Sequence, residues 1–156
     1  AQAKINVTRQ TASHVTETDI ATMASKLMPF SWANSIWAVS TTAVADLVRI
    51  SGFQANQDSF VAEKTGCVGT LYTRPVFVSG KLPAIGTAGD VMFFDPSLYV
   101  IGDRQEVTID SSPHPLFRTA QTVFRVWLRV DGRPMLDGDI TLSDATTTAA
   151  SIVVLN

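Results

Sequence analysis

The side chains that most often carry catalysis or bind metals are sparse in this sequence. His14 and His114, the two histidines, lie far apart, and neither has a ligand-spaced partner such as H-x-x-x-H. Cys67 is the single cysteine, which excludes an internal disulfide and a cysteine-based metal knuckle. It lies in the run Gly66-Cys67-Val68-Gly69, and no nucleophile signature surrounds it. We therefore predict polar loop histidines, a packed thiol, no catalytic residue and no metal site.

Two further patterns invite comparison with ligand-binding motifs. Gly80-Lys81-Leu82 resembles the end of a phosphate-binding loop, but Pro75 stands where such a loop begins with glycine, and the third residue offers no hydroxyl for magnesium. Asp137 and Asp139 could bind a cation or act as acid and base, yet carboxylates beside a hairpin glycine are usually solvated. The sequence therefore predicts no nucleotide and no other cofactor.

A basic face that includes an aromatic ring is the third pattern. Strand alternation places Arg125, Trp127 and Arg129 on one side. Such a face can meet a nucleic-acid backbone, or it can clamp carboxylates of a neighbouring subunit through planar, bidentate hydrogen bonds. The net charge of −2 and the pI near 5.6 favour a protein partner over a specific nucleic-acid site. A nucleic-acid-binding module that uses this face stays as the alternative, followed by a small hydrolase using Cys67 or a serine.

Composition constrains the surface and the compartment. A chain of 156 residues is long enough for one packed core. Charged residues make up 17%, below the usual quarter, so we expect a largely neutral surface of the kind that other subunits cover. The lone cysteine fits a reducing, intracellular origin. No stretch approaches the roughly 18 apolar residues that span a bilayer, so we expect no membrane partner.

The elements that must position these side chains begin with helices. Thr16 and Asp19 form a capping-box pattern, and an apolar stripe follows them until Pro29 stops it. Residues 35–40 are typical of a short buried strand. Thr41 or Thr42 is then expected to cap a second helix. The apolar positions of the two helices are Ile20, Met23, Ala24, Leu27 and Met28 in the first, and Val44, Leu47 and Val48 in the second.

A change of character follows the second helix, which we expect to end at Gly52. Residues 53–69 lack a period and predict a long loop, anchored by Phe53, Phe60 and Val61. Short β-type runs separated by turn residues come next. They cover residues 76–79, 91–94, 98–101 and 107–109. The order of helices followed by mainly strands predicts an α+β protein.

Two turns are expected in the second half. Gly102 and Asp103 have the backbone freedom and the side-chain acceptor of a turn, which would leave Arg104 to pair with an acidic group. Residues 122–130 form the longest strand candidate, and Asp131-Gly132 signals a hairpin that leads to a return strand through Ile140 and Leu142. Residues 152–155 could add an edge strand.

These segments resemble, in order and spacing, the major capsid proteins of tailed bacteriophages. The strongest match is the run Asp95-Pro96-Ser97-Leu98-Tyr99-Val100-Ile101-Gly102-Asp103-Arg104, which is similar to the family's aspartate, serine, tyrosine, isoleucine, glycine, aspartate, arginine run. A helix that ends in Leu-x-Pro, followed by a strand with a tryptophan, resembles the family's upstream pattern. The other matching segments are residues 74–79, 82–91, 121–125 and 129–134.

The resemblance implies a structural shell subunit of a phage or prophage that acts by self-assembly and is not an enzyme. It implies an axial-type domain at residues 16–110, after a lead-in segment at 1–15, with peripheral strands and the C-terminal tail at 111–156. The family's N-terminal arm, extended loop and spine helix are not recognisable here, and the chain starts at Ala1, so we expect that an upstream part is missing.

The implied partners are copies of the same chain in capsomers and shells, and a scaffolding protein or a protease during assembly is left open. The implied locations are the virion capsid and, before assembly, the bacterial cytoplasm. Apolar side chains on both faces of the 122–130 strand predict a surface that another chain must cover. The predicted interface or structural residues are Arg104, Phe124, Arg125, Val126, Trp127, Leu128 and Arg129.

Overall fold

The computed structural model describes residues 4–55 and 66–156, which divide into two units. One unit, called the body, contains the described residues up to Leu98 together with Leu136–Asn156. The other, called the ribbon, is Tyr99–Met135. The strands are β1 Lys4–Val7, β2 Ile36–Ser40, β3 Phe53–Ala55, β4 Cys67–Leu71, β5 Arg74–Ser79, β6 Val91–Phe94, β7 Tyr99–Ser112, β8 Val123–Pro134, β9 Ile140–Thr141, β10 Thr148–Ala149 and β11 Ile152–Leu155; the helices are α1 Glu17–Lys26 and α2 Val44–Leu47, with 3-10 turns at Pro29–Asn34, Pro96–Leu98 and His114–Thr119.

Helix α1 begins at the predicted capping box. The Thr16 hydroxyl accepts from the Asp19 N–H at 3.3 Å, and the Asp19 carboxylate accepts from the Thr16 N–H at 3.0 Å. Asp19 is itself buried and also accepts from the Gln10 N–H at 3.0 Å, which holds the preceding segment against the helix start. Ile20 and Met23 are fully buried, so the predicted apolar stripe is confirmed.

The body is built on a seven-stranded sheet of described residues, in the order β1, β11, β6, β2, β5, β4, β3. The β1/β11 and β2/β5 pairs are parallel, and the other pairs are antiparallel. Trp37 on β2 stacks on Phe93 of β6 with ring centroids 3.9 Å apart, and its indole N–H donates to the Leu71 carbonyl at 3.2 Å. Both rings are fully buried, which confirms the predicted strand at residues 35–40 and places the core at the centre of this sheet.

The expected caps of the second helix are wrong. Helix α2 spans a single turn, its N-cap is Ala43, and no side chain caps it. Thr42 instead accepts from the Ile85 N–H at 2.9 Å, so its hydroxyl ties a distant loop to the end of β2. Gly52 lies beyond the helix, and its carbonyl accepts from the Tyr72 N–H at 3.3 Å. Thr42 and Gly52 therefore make hydrogen bonds to distant residues instead of capping the helix.

The expected loop at residues 53–69 is wrong at both ends, because β3 and β4 occupy them and pair with each other. Phe53 packs against the core, whereas Phe60 and Val61 lie outside the described residues. Gly69 has a specific role in the pairing, since a Cβ at this position would lie 2.4 Å from the Gln54 carbonyl oxygen. Close approach of two strands therefore requires glycine here.

The two ends of the sequence also differ from expectation. Strand β11 is an interior strand between β1 and β6, with Val153 and Leu155 fully buried, rather than an edge strand. The lead-in segment contributes β1, which pairs with β11 in register Lys4↔Ile152. Apolar content decides this arrangement, because a run of four β-type residues is buried best with neighbours on both sides.

The ribbon corrects the two predicted turns. Strand β7 runs without interruption and pairs with β8, so that Gly102 lies opposite Asp131, and Ile101 lies opposite Gly132. Gly102, Asp103, Asp131 and Gly132 are therefore all strand residues, because a long antiparallel ladder outweighs local turn preference. Register shifts between Asp103 and Gln105, and between Gln105 and Thr108, accommodate the extra residues of β7.

Two consequences follow from the continuity of β7. The boundary between the two units lies after Leu98, and Leu136–Asn156 belongs to the body. The expected division at residue 110 into axial-type and peripheral parts stays a prediction. The expected return strand through Ile140 is also wrong, because β9 pairs with β10 instead of β8.

Candidate interaction surfaces

Alternation along the ribbon separates its side chains into two faces. Cross-strand partners share a face, so Ile109 lies beside Val126, and β8 alternates regularly because the irregularities fall on β7. The Tyr99 ring covers Gly132, where a Cβ would approach it to 2.7 Å. One face is thus mainly apolar, although the register also places Asp103 beside Val130 and Ser111 beside Phe124. This apolar face consists of Tyr99, Ile101, Ile109, Phe124, Val126, Leu128 and Val130.

The apolar face is open to solvent. Phe124 is 69% exposed and Ile109 is 66% exposed, and the other five members lie between 45% and 66%. Together they present on the order of several hundred Å² of apolar surface, the size at which patches on soluble monomers mark interaction sites. An isolated two-stranded ribbon is also only marginally stable in water. This surface therefore has the character of an interface.

The opposite face carries the predicted arginine and tryptophan pattern, here called the arginine face: Asp110, Arg125, Trp127 and Arg129. The Arg125 guanidinium lies 4.0 Å from the Trp127 ring centroid, and that of Arg129 lies 6.0 Å from it. Asp110 accepts from the Trp127 indole N–H at 3.1 Å and from Arg125 at 3.3 Å. The contacts with Trp127 and Asp110 restrain the Arg125 guanidinium in a solvent-exposed position, which suits recognition of a carboxylate.

Arg104 lies in β7 at the first register shift, between Asp103 and Gln105, and is exposed. Among the ion pairs of the described residues, none includes Arg104. A bulge changes the direction of a strand side chain and points it away from the regular ladder. Pairing of Arg104 with a group of another subunit stays a prediction.

Cys67, the candidate nucleophile, is buried in β4, and its thiol donates to the Gly69 carbonyl at 3.2 Å. Burial of the sulfur differs from the partly exposed setting in which reactive thiols are found. His114 is exposed at the 3-10 turn of the ribbon. Within the described part of the chain, no group of three or more His, Cys, Asp or Glu residues could hold a metal ion.

His14 does have a partner, which the sequence did not reveal. Its Nδ1 lies 3.1 Å from Asp46, whose carboxylate also accepts from the Val15 N–H at 3.1 Å. Burial raises the pKa of Asp46, but the Val15 hydrogen bond, the His14 contact and the Arg49 charge outweigh it, and the pKa lies below its usual value. The contacts of Asp46 with His14 and Val15 tie the lead-in segment to α2. These residues line a shallow pocket of about 290 Å³.

A second unpredicted contact is buried. Arg9 donates to both carboxylate oxygens of Asp90 at 2.7 Å, and the two side chains are 5% and 0% exposed. Asp90 also accepts from the Gly86 N–H at 3.0 Å, so each of its two carboxylate oxygens accepts at least one hydrogen bond. Buried ion pairs need this degree of satisfaction to offset their desolvation. The Arg9–Asp90 ion pair joins the segment after β1 to the residue before β6, so we call it a structural clamp.

No helix in the described ranges has the length and apolar character needed to cross a membrane. The chain combines an α+β body with a ribbon of two long antiparallel strands. It is similar to the capsid of a native GTA particle with a TM-score of 0.64 and to the capsid of an empty GTA particle with a TM-score of 0.62. Sequence identity is 18% in each case, over 96% of this chain.

The sequence itself places the chain more narrowly. The sequence model of the phage capsid family matches residues 1–142, and the chain belongs to that family. The resemblance in the motifs of residues 95–104 and their neighbours is thereby confirmed, as is the mixed fold with few helices. The chain spans 48% of the length of the GTA capsid chains that it resembles. No curated protein matches it significantly.

Proposed function

We propose that this chain is part of a structural subunit of a phage or prophage capsid shell, and that it acts by self-assembly rather than catalysis. Membership of the phage capsid family and the shared fold support this role. The single observation that carries it is the exposed apolar face of the ribbon. A surface of this kind is stable in water only when another chain or segment covers it.

The two units correspond to different tasks within such a subunit. We assign the body to the axial-type domain and the ribbon to the peripheral strands, because the body has its own core and the ribbon does not. The partners are copies of the same chain, the mature location is the virion capsid, and the bacterial cytoplasm is the site before assembly. A scaffolding protein and a maturation protease stay untested predictions.

Electron microscopy of the complete translation product that contains these residues tests the proposal. We expect closed particles of uniform size from the natural sequence. Leu128→Ser should reduce their yield several-fold, since it places a hydroxyl in the middle of the apolar face. Val48→Ser is the matched control, because Val48 and Leu128 are both 58% exposed, and Val48 lies in the body.

Two outcomes contradict the proposal. One is a complete product that forms only small, soluble species under conditions in which it remains folded. The other is equal particle yield from the Leu128 variant and the natural sequence, which would remove the apolar face from assembly.

A further inference from the structure

Charge is divided unequally between the two units. The ribbon contains five arginines and four carboxylates, for a net charge of +1, so the rest of the chain carries −3 of the total of −2. Three of the arginines, Arg125, Arg129 and Arg133, occur at every fourth position of β8, which alternation places on the same side. The ribbon is therefore the basic element of an acidic chain.

The acidic counterpart is the segment at residues 136–145, here called the acidic segment. It contains Asp137, Asp139 and Asp144, and no lysine or arginine occurs anywhere from residue 134 to residue 156. Asp144 accepts hydrogen bonds from the Thr147 hydroxyl and from the N–H groups of Thr147 and Thr146, which lower its pKa to about 2. This carboxylate therefore remains ionised well into the acidic range.

The arginine face is organised to receive such carboxylates. The Arg125 guanidinium lies 4.0 Å from the Trp127 ring centroid, and the Arg125 side chain is 65% exposed. Guanidinium has five N–H donors, and Asp110 accepts from only one of its nitrogens. Because these contacts already restrain the Arg125 side chain, less conformational entropy is lost when a further carboxylate binds.

We propose that the arginine face of one copy binds the acidic segment of a second copy. The contact is head-to-tail, since each copy offers one face and one segment, and contacts of this type generate rings when the rotation closes. The inference rests on the proposed function and names the partner surface within it. A second copy fits better than nucleic acid, because the chain carries a net charge of −2, whereas nucleic-acid binders usually carry an excess of basic residues.

Charge exchange tests the pairing, with the dissociation constant of self-association measured by sedimentation at low and high salt. The double change Arg125→Glu and Arg129→Glu should weaken association about tenfold, and so should Asp137→Lys with Asp139→Lys. All four changes in one chain should restore association to within about threefold of the natural value. Arg118→Glu is the control, since it makes one such arginine-to-glutamate exchange in the 3-10 turn of the ribbon, outside the arginine face.

Mixing the two double variants sharpens the test. Each alone should associate poorly, but together the glutamate face of one meets the lysine segment of the other, and both contacts become attractive. Circular dichroism melting of each variant ensures that lost association reflects the surface and not unfolding. Restoration in both the fourfold variant and the mixture is the expected result.

The proposal is overturned if the arginine variant associates like the natural chain or if the fourfold variant is not restored. Loss of binding to a 20-base-pair DNA duplex in the arginine variant, with self-association unchanged, would assign the face to nucleic acid instead. A natural chain that stays monomeric at high micromolar concentration also overturns it. The shell proposal is judged separately, by electron microscopy of the complete product.

Discussion

The body and the ribbon both contain β-sheet, but different interactions stabilise the two sheets. In the body, β2, β6 and β11 each have strand neighbours on both sides, and their inward side chains, such as Trp37 and Phe93, are fully buried. In the ribbon, β7 and β8 pair only with each other within the described chain, and Phe124 is 69% exposed. Backbone hydrogen bonds thus hold the two strands of the ribbon together, whereas apolar burial stabilises the body.

The largest test of this contrast uses the two tryptophans that differ in burial. Trp37→Ala should lower the free energy of unfolding by about 3–5 kcal/mol, because it removes a buried ring stacked on Phe93. Trp127→Ala should cost only about 1 kcal/mol, the scale of its exposed stacking with Arg125. Chemical denaturation of the two variants measures both values. Equal losses would mean that the ribbon has a core of its own.

Two glycines provide the next comparison. Gly69→Ala in the body should cost about 1–3 kcal/mol, because the new Cβ would meet the rigid carbonyl of Gln54 at 2.4 Å. Gly132→Ala in the ribbon meets the Tyr99 ring at 2.7 Å, but that exposed side chain can turn away, so a loss below about 1 kcal/mol is expected. Thermal melting of the two variants shows whether crowding against backbone lowers the free energy of unfolding more than crowding against a side chain.

The Asp46 contact predicts a pH dependence confined to the body. Its pKa in the folded state lies below 3.8, so its stabilisation is present above that value and is lost as pH falls through the folded pKa. Asp46→Asn should lower stability at neutral pH by roughly 1–2 kcal/mol, since the Val15 N–H loses a charged acceptor. Urea unfolding at several pH values should show a smaller acid loss in the variant than in the natural chain.

The smallest expected effect on stability belongs to the apolar face. Val126→Thr should change the free energy of unfolding by less than about 0.5 kcal/mol, because the side chain is 64% exposed in the folded chain. The same change at the buried Val153 should cost about 1–3 kcal/mol, since it buries a hydroxyl. A large loss at Val126 in dilute, monomeric conditions would contradict the view of this face as an interface.

Local signals explain which elements the sequence could predict. Helix α1 is predictable because its capping box and the proline that stops it lie close together in the sequence. Strands β2 and β6 are predictable because each is a short apolar run. Strand β7 was missed because Gly102 and Asp103 carry turn chemistry, and only their partners on β8, almost thirty positions away, keep them extended. No local pattern reports such a partner.

The candidate surfaces follow the same rule. Alternation along β8 was sufficient to predict Phe124, Val126 and Leu128 on one side and Arg125, Trp127 and Arg129 on the other. The Arg9–Asp90 clamp was not predictable, since its members are 81 residues apart. Arginine and aspartate are also common surface residues, and only the fold reveals that these two are buried together.

The interior position of β11 has a consequence for synthesis on the ribosome. The sheet of the body cannot close until Leu155 has emerged, because β11 separates β1 from β6 and joins residues as distant as Lys4 and Ile152. Contacts of such sequence separation form slowly, since a long loop must be ordered first. The ribbon needs only Tyr99–Met135, so its two strands can pair before Leu136–Asn156 has left the ribosome. A hairpin with an exposed apolar face can therefore form before the core of the same chain has closed.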